Sequence, residues 1–472
     1  MIAPLLAAAS LAVPAQTHVG GDWTRFGYDA ARRNVGPRAT GITEANLRLL
    51  RRERVTLDGT VDSSPIYLRG VEVNGAAHDV FIVTTSYGKT IAVDAAAGTV
   101  LWRFTPSGYA SWAGSHQITN VTPIADPSRR YVYTASPDGR IHKIEVASGH
   151  EITADAWPVS ITHDSRHEKI APALNFTRGL VLVATGGYVG DAPPYQGHVV
   201  AIVAQTGRVL SVWNSLCSSR HRLIEPRSCP ESGSAIWARS GVVVDPASGG
   251  LLVATGDGRF DGRIYWGDSV LMLSPDARRL LRNWTPRNQA QLDSGDVDLG
   301  STAPALLGSG LAVQGGKDGT LRLLSLARLN GRTASPGRLT GGELQRIPAP
   351  GGSGVFTAPA VWRSGGRTWL FVANDSGTTA YVLRSRRLRV AWRIGTGGTS
   401  PIVAGGLLYV YSEDSGFLGV YRPTSGRMLA RLPAGSGHWN SPIVTDGRIA
   451  LPDGDANDHR ETGALNIYRV AG

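Results

Sequence analysis

Lysine is nearly missing from this chain of 472 residues. Lys89, Lys143, Lys169 and Lys317 are the only lysines, and every other basic residue is arginine. Cysteine is scarcer still, with only Cys217 and Cys229. That excludes a disulfide-dense scaffold and a cysteine-rich metal module, and no Cys-x-x-Cys-His haem attachment sequence occurs. No run approaches ~18 consecutive apolar residues, so no membrane-spanning helix is expected. Gly-x-Ser-x-Gly, Gly-x-Gly-x-x-Gly and Walker sequences are absent as well, leaving elbow-type serine hydrolases and nucleotide cofactors without support. Charged residues make up only 18%, against 42% hydrophobic, which is enough apolar material for a large core and excludes wholesale disorder. The net charge of +11 is spread along the chain. Nucleic-acid binders gather their basic residues in a patch or tail, so that class is disfavoured, although such a surface attracts anionic ligands.

Glycine is plentiful, at 59 residues, and it punctuates a repeat. The unit opens with Ser/Thr-Ala-Pro or Ser-Pro and continues through short apolar runs separated by Asp-Gly-type turns. It closes with Thr/Ser-Gly and a run ending near Trp. Openings fall at Pro65, Pro123, Pro172, Ile236, Pro304, Pro359, Pro401 and Pro442. Each unit holds about four period-2 runs, the pattern of a four-stranded blade. One blade cannot cover both of its own faces, so stacking in a ring is required. The expected fold is all-β: an eight-bladed propeller of four-stranded antiparallel blades. The last unit is too short for a full blade. The segment around residues 47–55 reads as its missing strand, closing the ring and removing free edges. Trp102, Trp213, Trp284 and Trp392 end outer runs and are expected to pack between blades.

Residues 1–15, MIAPLLAAASLAVPA, read as a short export signal ending in small residues, although its first residues lack Lys and Arg. Residues 16–472 then form a single propeller domain, secreted or held in the periplasm or cell envelope. In that oxidising setting Cys217 and Cys229, in a polar loop, are expected to form a disulfide.

The opening DWTRFGYDAARRNVGP…ITEANLRLL and the repeats of form DGxxxAxDxxTGxxxW resemble pyrroloquinoline-quinone (PQQ) dehydrogenases. The chain is identified as a member of the PQQ-binding-like eight-bladed propeller superfamily. That superfamily contains quinoprotein alcohol dehydrogenases and also cofactor-free scaffolds of the outer-membrane assembly type. The resemblance implies PQQ and calcium as cofactors and places residues one by one. Asp298 opens a stretch, Asp-Leu-Gly-Ser-Thr-Ala-Pro, similar to the one carrying the catalytic, calcium-facing aspartate. Lys317 lies in a Gln-x-x-Lys-x-Gly turn whose lysine contacts the quinone oxygens. Trp237 matches the tryptophan floor under the quinone. Asp257 stands where the family has a calcium-ligating Asn, and still offers oxygen to a hard cation.

The chain departs from the family in two places. The adjacent cysteine pair that covers the quinone is missing; the region reads Trp112-Ala113-Gly114-Ser115-His116-Gln117. Around residues 191–197 no calcium-ligating Glu occurs, and Asp191 is the nearest substitute. Each site residue also has an ordinary structural reading: a solvated turn for Lys317, blade packing for Trp237, a turn-capping role for Asp298. Asp293 and Asp296 lie close enough to blur the last assignment. His438-Trp439 and Trp112…His116 precede blade openings and so fall on the expected face. His163 and His167, four apart, read as a solvated loop. The expected function is an exported PQQ-dependent dehydrogenase acting on a small alcohol or sugar and passing electrons to a separate acceptor. The alternative is a cofactor-free scaffold binding an envelope protein.

Overall fold

The computed structural model describes residues 19–329 and 340–470. The expected export signal, 1–15, lies outside the described residues. Among the described residues, 32 strands form eight sheets of four, each strand antiparallel to its neighbours. The first blade comprises Ile66–Val73, Ala76–Thr84, Thr90–Asp94 and Val100–Phe104, and the pattern repeats around the ring. The eighth is composite. Leu50–Leu57 pairs with Gly463–Val470 over eight residue pairs, so a strand from the start of the chain completes the blade at its end.

The core lies between blades rather than within them. Ile66, Leu68, Val80, Ile82 and Trp102 of the first blade share one apolar cluster with Ala125, Val132 and Ile144 of the second. Central strands therefore have cover on both faces. Leu180–Ala184 (LVLVA) is buried throughout, whereas the outer strand Arg387–Ile394 is largely exposed. The period-2 pattern expected of every run is lost in central strands such as Leu180–Ala184, because a neighbouring blade lies against each side. The outer-strand tryptophans lock blade to blade. Trp102 Nε1 donates to Val146 O of the next blade at 2.8 Å, and Trp392 Nε1 to Pro423 O at 2.9 Å. A Cβ on Gly149 would lie 2.7 Å from the Trp102 ring, so the Ser-Gly turn of one blade is shaped by the tryptophan of the blade before it.

Before reaching its strand, the chain makes a circuit inside the ring. Val19 O accepts from Asp446 N of the last blade, Trp23 bridges Tyr67 of the first, and Thr24 O accepts from Ala125 N of the second. Ala30 O, Arg33 O and Asn34 O then accept from Val244, Val361 and Val403 of the fourth, sixth and seventh blades. This arm was not anticipated from the repeats, because it belongs to none of them.

Candidate functional site

Antiparallel order decides where the chemistry collects. Segments that precede an inner strand, and turns joining the second strand of a blade to its third, must share one face of the ring. Trp237 and Arg239 precede Val243–Val244; Asp296 and Asp298 precede Ala305–Gly308; His438 and Trp439 precede Ile443–Thr445. Asp257 follows Leu251–Ala254, and Lys317 follows Leu311–Gln314. All of them line one cavity of ≈ 480 Å³, together with Asp191, Lys169 and Phe356. That volume lies in the range of small-molecule sites.

The cavity has an acidic pole. Asp257, Asp296 and Asp298 each bring a carboxylate oxygen within 4.8 Å of the others. Lys317 Nζ lies 2.7 Å from Asp298 Oδ2 and also bonds Asp296. The backbone sets this pair, since Lys317 N donates to Asp298 O at 2.9 Å. Asp298 is fully buried, and apart from the Asp257 carboxyl its Oδ1 meets no protein donor among the described residues. Burial raises the Asp298 carboxyl above the usual range, opposed by Lys317. Burial, then the Asp298 charge, pushes Asp257 up to about 6 and Asp268 behind it up to about 8. For Lys317, burial favours the neutral amine, but Asp298 and Asp296 outweigh it and hold the ammonium. A cation beside the group offsets its charge, and Lys317 already supplies one.

Asp191 lines the same cavity but lies outside that triplet. Its Oδ1 accepts from Tyr195 Oη at 3.0 Å, and Asp296 is the third close carboxylate instead. The proximity of Asp296 in sequence, two residues before Asp298, was the only sign of this.

Rings form the wall. Trp237 stacks on Trp439 with centroids 5.8 Å apart, and His438 also stacks on Trp439, at 4.6 Å. Lys317 Nζ sits 5.5 Å from the Trp237 ring centroid. Gly300 lets the indole in: a Cβ there would lie 2.9 Å from Trp237 Nε1 and 2.5 Å from Gly256 N.

The opposite pole is cationic. Arg239 is fully buried, donates to Asn120 O, Ala171 O and Asp62 O, and lies 5.2 Å over the Trp439 ring; burial pulls it down to about 10. Lys169 is buried, faces the Tyr188 ring, and burial lowers it to about 8. Its ammonium has no hydrogen-bond acceptor among the described residues. His438 Nδ1 lies 2.8 Å from Asp62 Oδ2, and Asp62 also accepts from Trp439 N and Asn120 Nδ2. Burial disfavours the imidazolium, but the Asp62 charge and hydrogen bond, together with the Asp455 charge, outweigh it and raise His438. Sequence reasoning passed over Lys169 and Arg239. The signal available for Lys169 was rarity, since two of the four lysines line this cavity.

Other sequence candidates fall outside. His167 pairs with its own Asp164, and Glu168 turns inward to His198. Trp112 is buried against Tyr87, while His116 meets the edge of Tyr188 at the cavity rim. Cys217 and Cys229 form the expected disulfide.

The donor set fits a planar tricarboxylate quinone with a hard cation. Asp298 Oδ1 lacks a permanent partner beside two further carboxylates, an indole offers its face, and cations stand opposite.

Residues 57–222 match the family described as outer membrane protein assembly factor BamB. The quinohemoprotein alcohol dehydrogenase ADH IIB of Pseudomonas putida is 25% identical over 292 residues, covering 57% of this chain and 40% of that protein. The quinohemoprotein alcohol dehydrogenase of Comamonas testosteroni superposes with a TM-score of 0.69 at 17% identity, over 97% of this chain and 81% of that one. The chain shares the propeller fold of these proteins. Moraxella catarrhalis BamB shares this propeller fold more distantly, with a TM-score of 0.54 at 11% identity, over 89% of this chain and 97% of that one. The propeller spans at most 40% of the length of the curated relatives it matches.

Proposed function

We propose that this propeller is a PQQ-type dehydrogenase oxidising a small alcohol or sugar. The observation that carries the reading is Asp298, a buried carboxylate with an open oxygen, set between a lysine, two further aspartates and the Trp237 ring. Asp257, Asp296 and Asp298 would hold calcium or a similar hard cation. Trp237 would lie against the cofactor plane, and Lys317 would reach its quinone oxygens. Lys169, Arg239 and His438 would face its carboxylates. When bound, the quinone supplies a two-electron acceptor. Asp298 takes the hydroxyl proton of the alcohol, a role suited to a carboxylate whose burial lifts its basicity. Lys317 keeps Asp298 oriented, and the aromatic wall restricts water. A separate acceptor would take the electrons. Residues 1–15 and the disulfide support export, and no described helix is long and apolar enough to cross a membrane.

The test is titration with PQQ and calcium by calorimetry, then dye-linked alcohol oxidation. Asp298→Asn should keep binding and lose turnover by about 100-fold or more, since an amide cannot accept the proton. Absence of binding heat in the wild type refutes the enzyme reading. The match of residues 57–222 to BamB favours the scaffold reading in that event.

A further inference from the structure

The outer wall of the ring carries a second concavity, ≈ 520 Å³, between the third and fourth blades. It shares no lining residue with the central cavity. Arg263, Arg278, Arg279, Arg282 and His221 line it over a floor of Trp213 and Trp266, and no Asp or Glu does. Arg282 donates to Leu326 O, and Arg278 lies 3.6 Å from Asp276. Arg263 and Arg279 are exposed, and their side chains have no acceptor among the described residues.

We infer that this trough docks an extended acidic peptide segment of a partner protein. Three observations select that occupant. The first is charge: unpaired guanidinium forks match carboxylates, which they bind through two parallel bonds. The second is the strand edge. Leu280–Trp284 is the outermost strand of its blade and pairs only with Val270–Leu273, so its other edge offers backbone groups at strand spacing. An added peptide strand complements that edge; a polysaccharide has no matching row of amides. The third is Asn283 on the same strand, fully buried, whose Oδ1 has no donor among the described residues. The opposite wall is held in place before any partner arrives. The Cys217–Cys229 disulfide closes that loop, Trp266 Nε1 donates to Ser218 Oγ at 3.0 Å, and Ser218 N donates to Ile264 O at 3.1 Å. A wall fixed in advance reduces the ordering cost of binding.

The experiment uses the full chain and a capped, fluorescent octapeptide of alternating Glu and Val, read by anisotropy at low salt. Binding should weaken about tenfold or more in Arg263→Glu/Arg279→Glu. Arg279→Gln, a milder change, should weaken it less. Arg389→Glu, on the exposed outer strand of the sixth blade, should leave it unchanged, and each variant's melting curve should match the wild type. Hydrogen exchange should slow at residues 280–284 when peptide is present, and N-methylating alternate peptide amides should abolish binding. The inference is overturned by absence of binding, by an equal loss in Arg389→Glu, or by undiminished binding of the N-methylated peptide. Tighter binding of polygalacturonate without protection of 280–284 overturns it in favour of a polysaccharide site.

Discussion

Replacing His438 by glutamine removes the imidazolium from a buried carboxylate. Asp62 is fully buried, with His438 Nδ1 at 2.8 Å, Trp439 N at 2.7 Å and Asn120 Nδ2 at 2.8 Å. A hydrogen bond to a charged partner contributes about 1.5–3 kcal/mol. His438 retains 30% side-chain exposure and Asp62 keeps its other donors, so the expected loss is about 2 kcal/mol where the histidine is charged. The charged groups facing His438 are Asp62, Asp455 at 3.5 Å, Arg239 across Trp439, and Glu413. Burial lowers the histidine and Asp62 raises it further, so its folded value lies above the ordinary 6.5. Folding therefore favours the protonated ring. That stabilisation is complete below pH 6.5 and disappears as pH rises through the folded value. Asp62 shifts the opposite way: burial opposes its charge, but His438, Arg239 and the Trp439 N–H together outweigh burial and lower it. Its contribution fails only as pH falls below the ordinary carboxylate range. Thermal unfolding of wild type and His438→Gln at pH 6 and pH 9 tests this. The variant should melt roughly 2–4 °C lower at pH 6, and the gap should narrow toward pH 9 as pH rises through the folded value of His438. A gap independent of pH would refute the reasoning.

Lys317→Met should destabilise the fold by about 2–3 kcal/mol, because it leaves Asp298 buried beside two carboxylates, while Lys317 itself is partly hydrated; urea unfolding measures it. Gly300→Ala should cost about 1–3 kcal/mol by overpacking and shift tryptophan emission as Trp237 is displaced. Thiol titration of denatured, unreduced protein should find no free thiol, and reduction should remove roughly 3 kcal/mol of loop-closure stabilisation. Deleting residues 1–57 should lower the melting temperature sharply, since it strips the strand paired with Gly463–Val470 and leaves that strand an open edge; an unchanged melting curve would show that the ring does not need this closure.

The repeat made the blades legible because each blade solves the same packing problem with the same short-range means: an apolar strand, a glycine turn, a tryptophan for the next blade. Counting residues after Pro442 was enough to show that the last blade borrows a strand, since four strands do not fit in what remains. Trp237, Asp257, Asp298 and Lys317 could be named from local motifs, and antiparallel order brings them to one face. Asp191 and Asp296 could not be ranked this way, because which carboxylate joins the close group depends on loop paths between blades. Lys169, Arg239 and the His438–Asp62 pair were beyond local reading for the same reason. Asp62 and His438 are 376 residues apart and meet only because the ring closes. The circuit of residues 19–42 has no periodicity of its own and takes its shape from the inner strands it bonds to. Local chemistry thus determined the blades and the types of residue offered to the site. Ring closure decided which residues of different blades face one another, since contacts between blades far apart in the chain have no counterpart in sequence spacing.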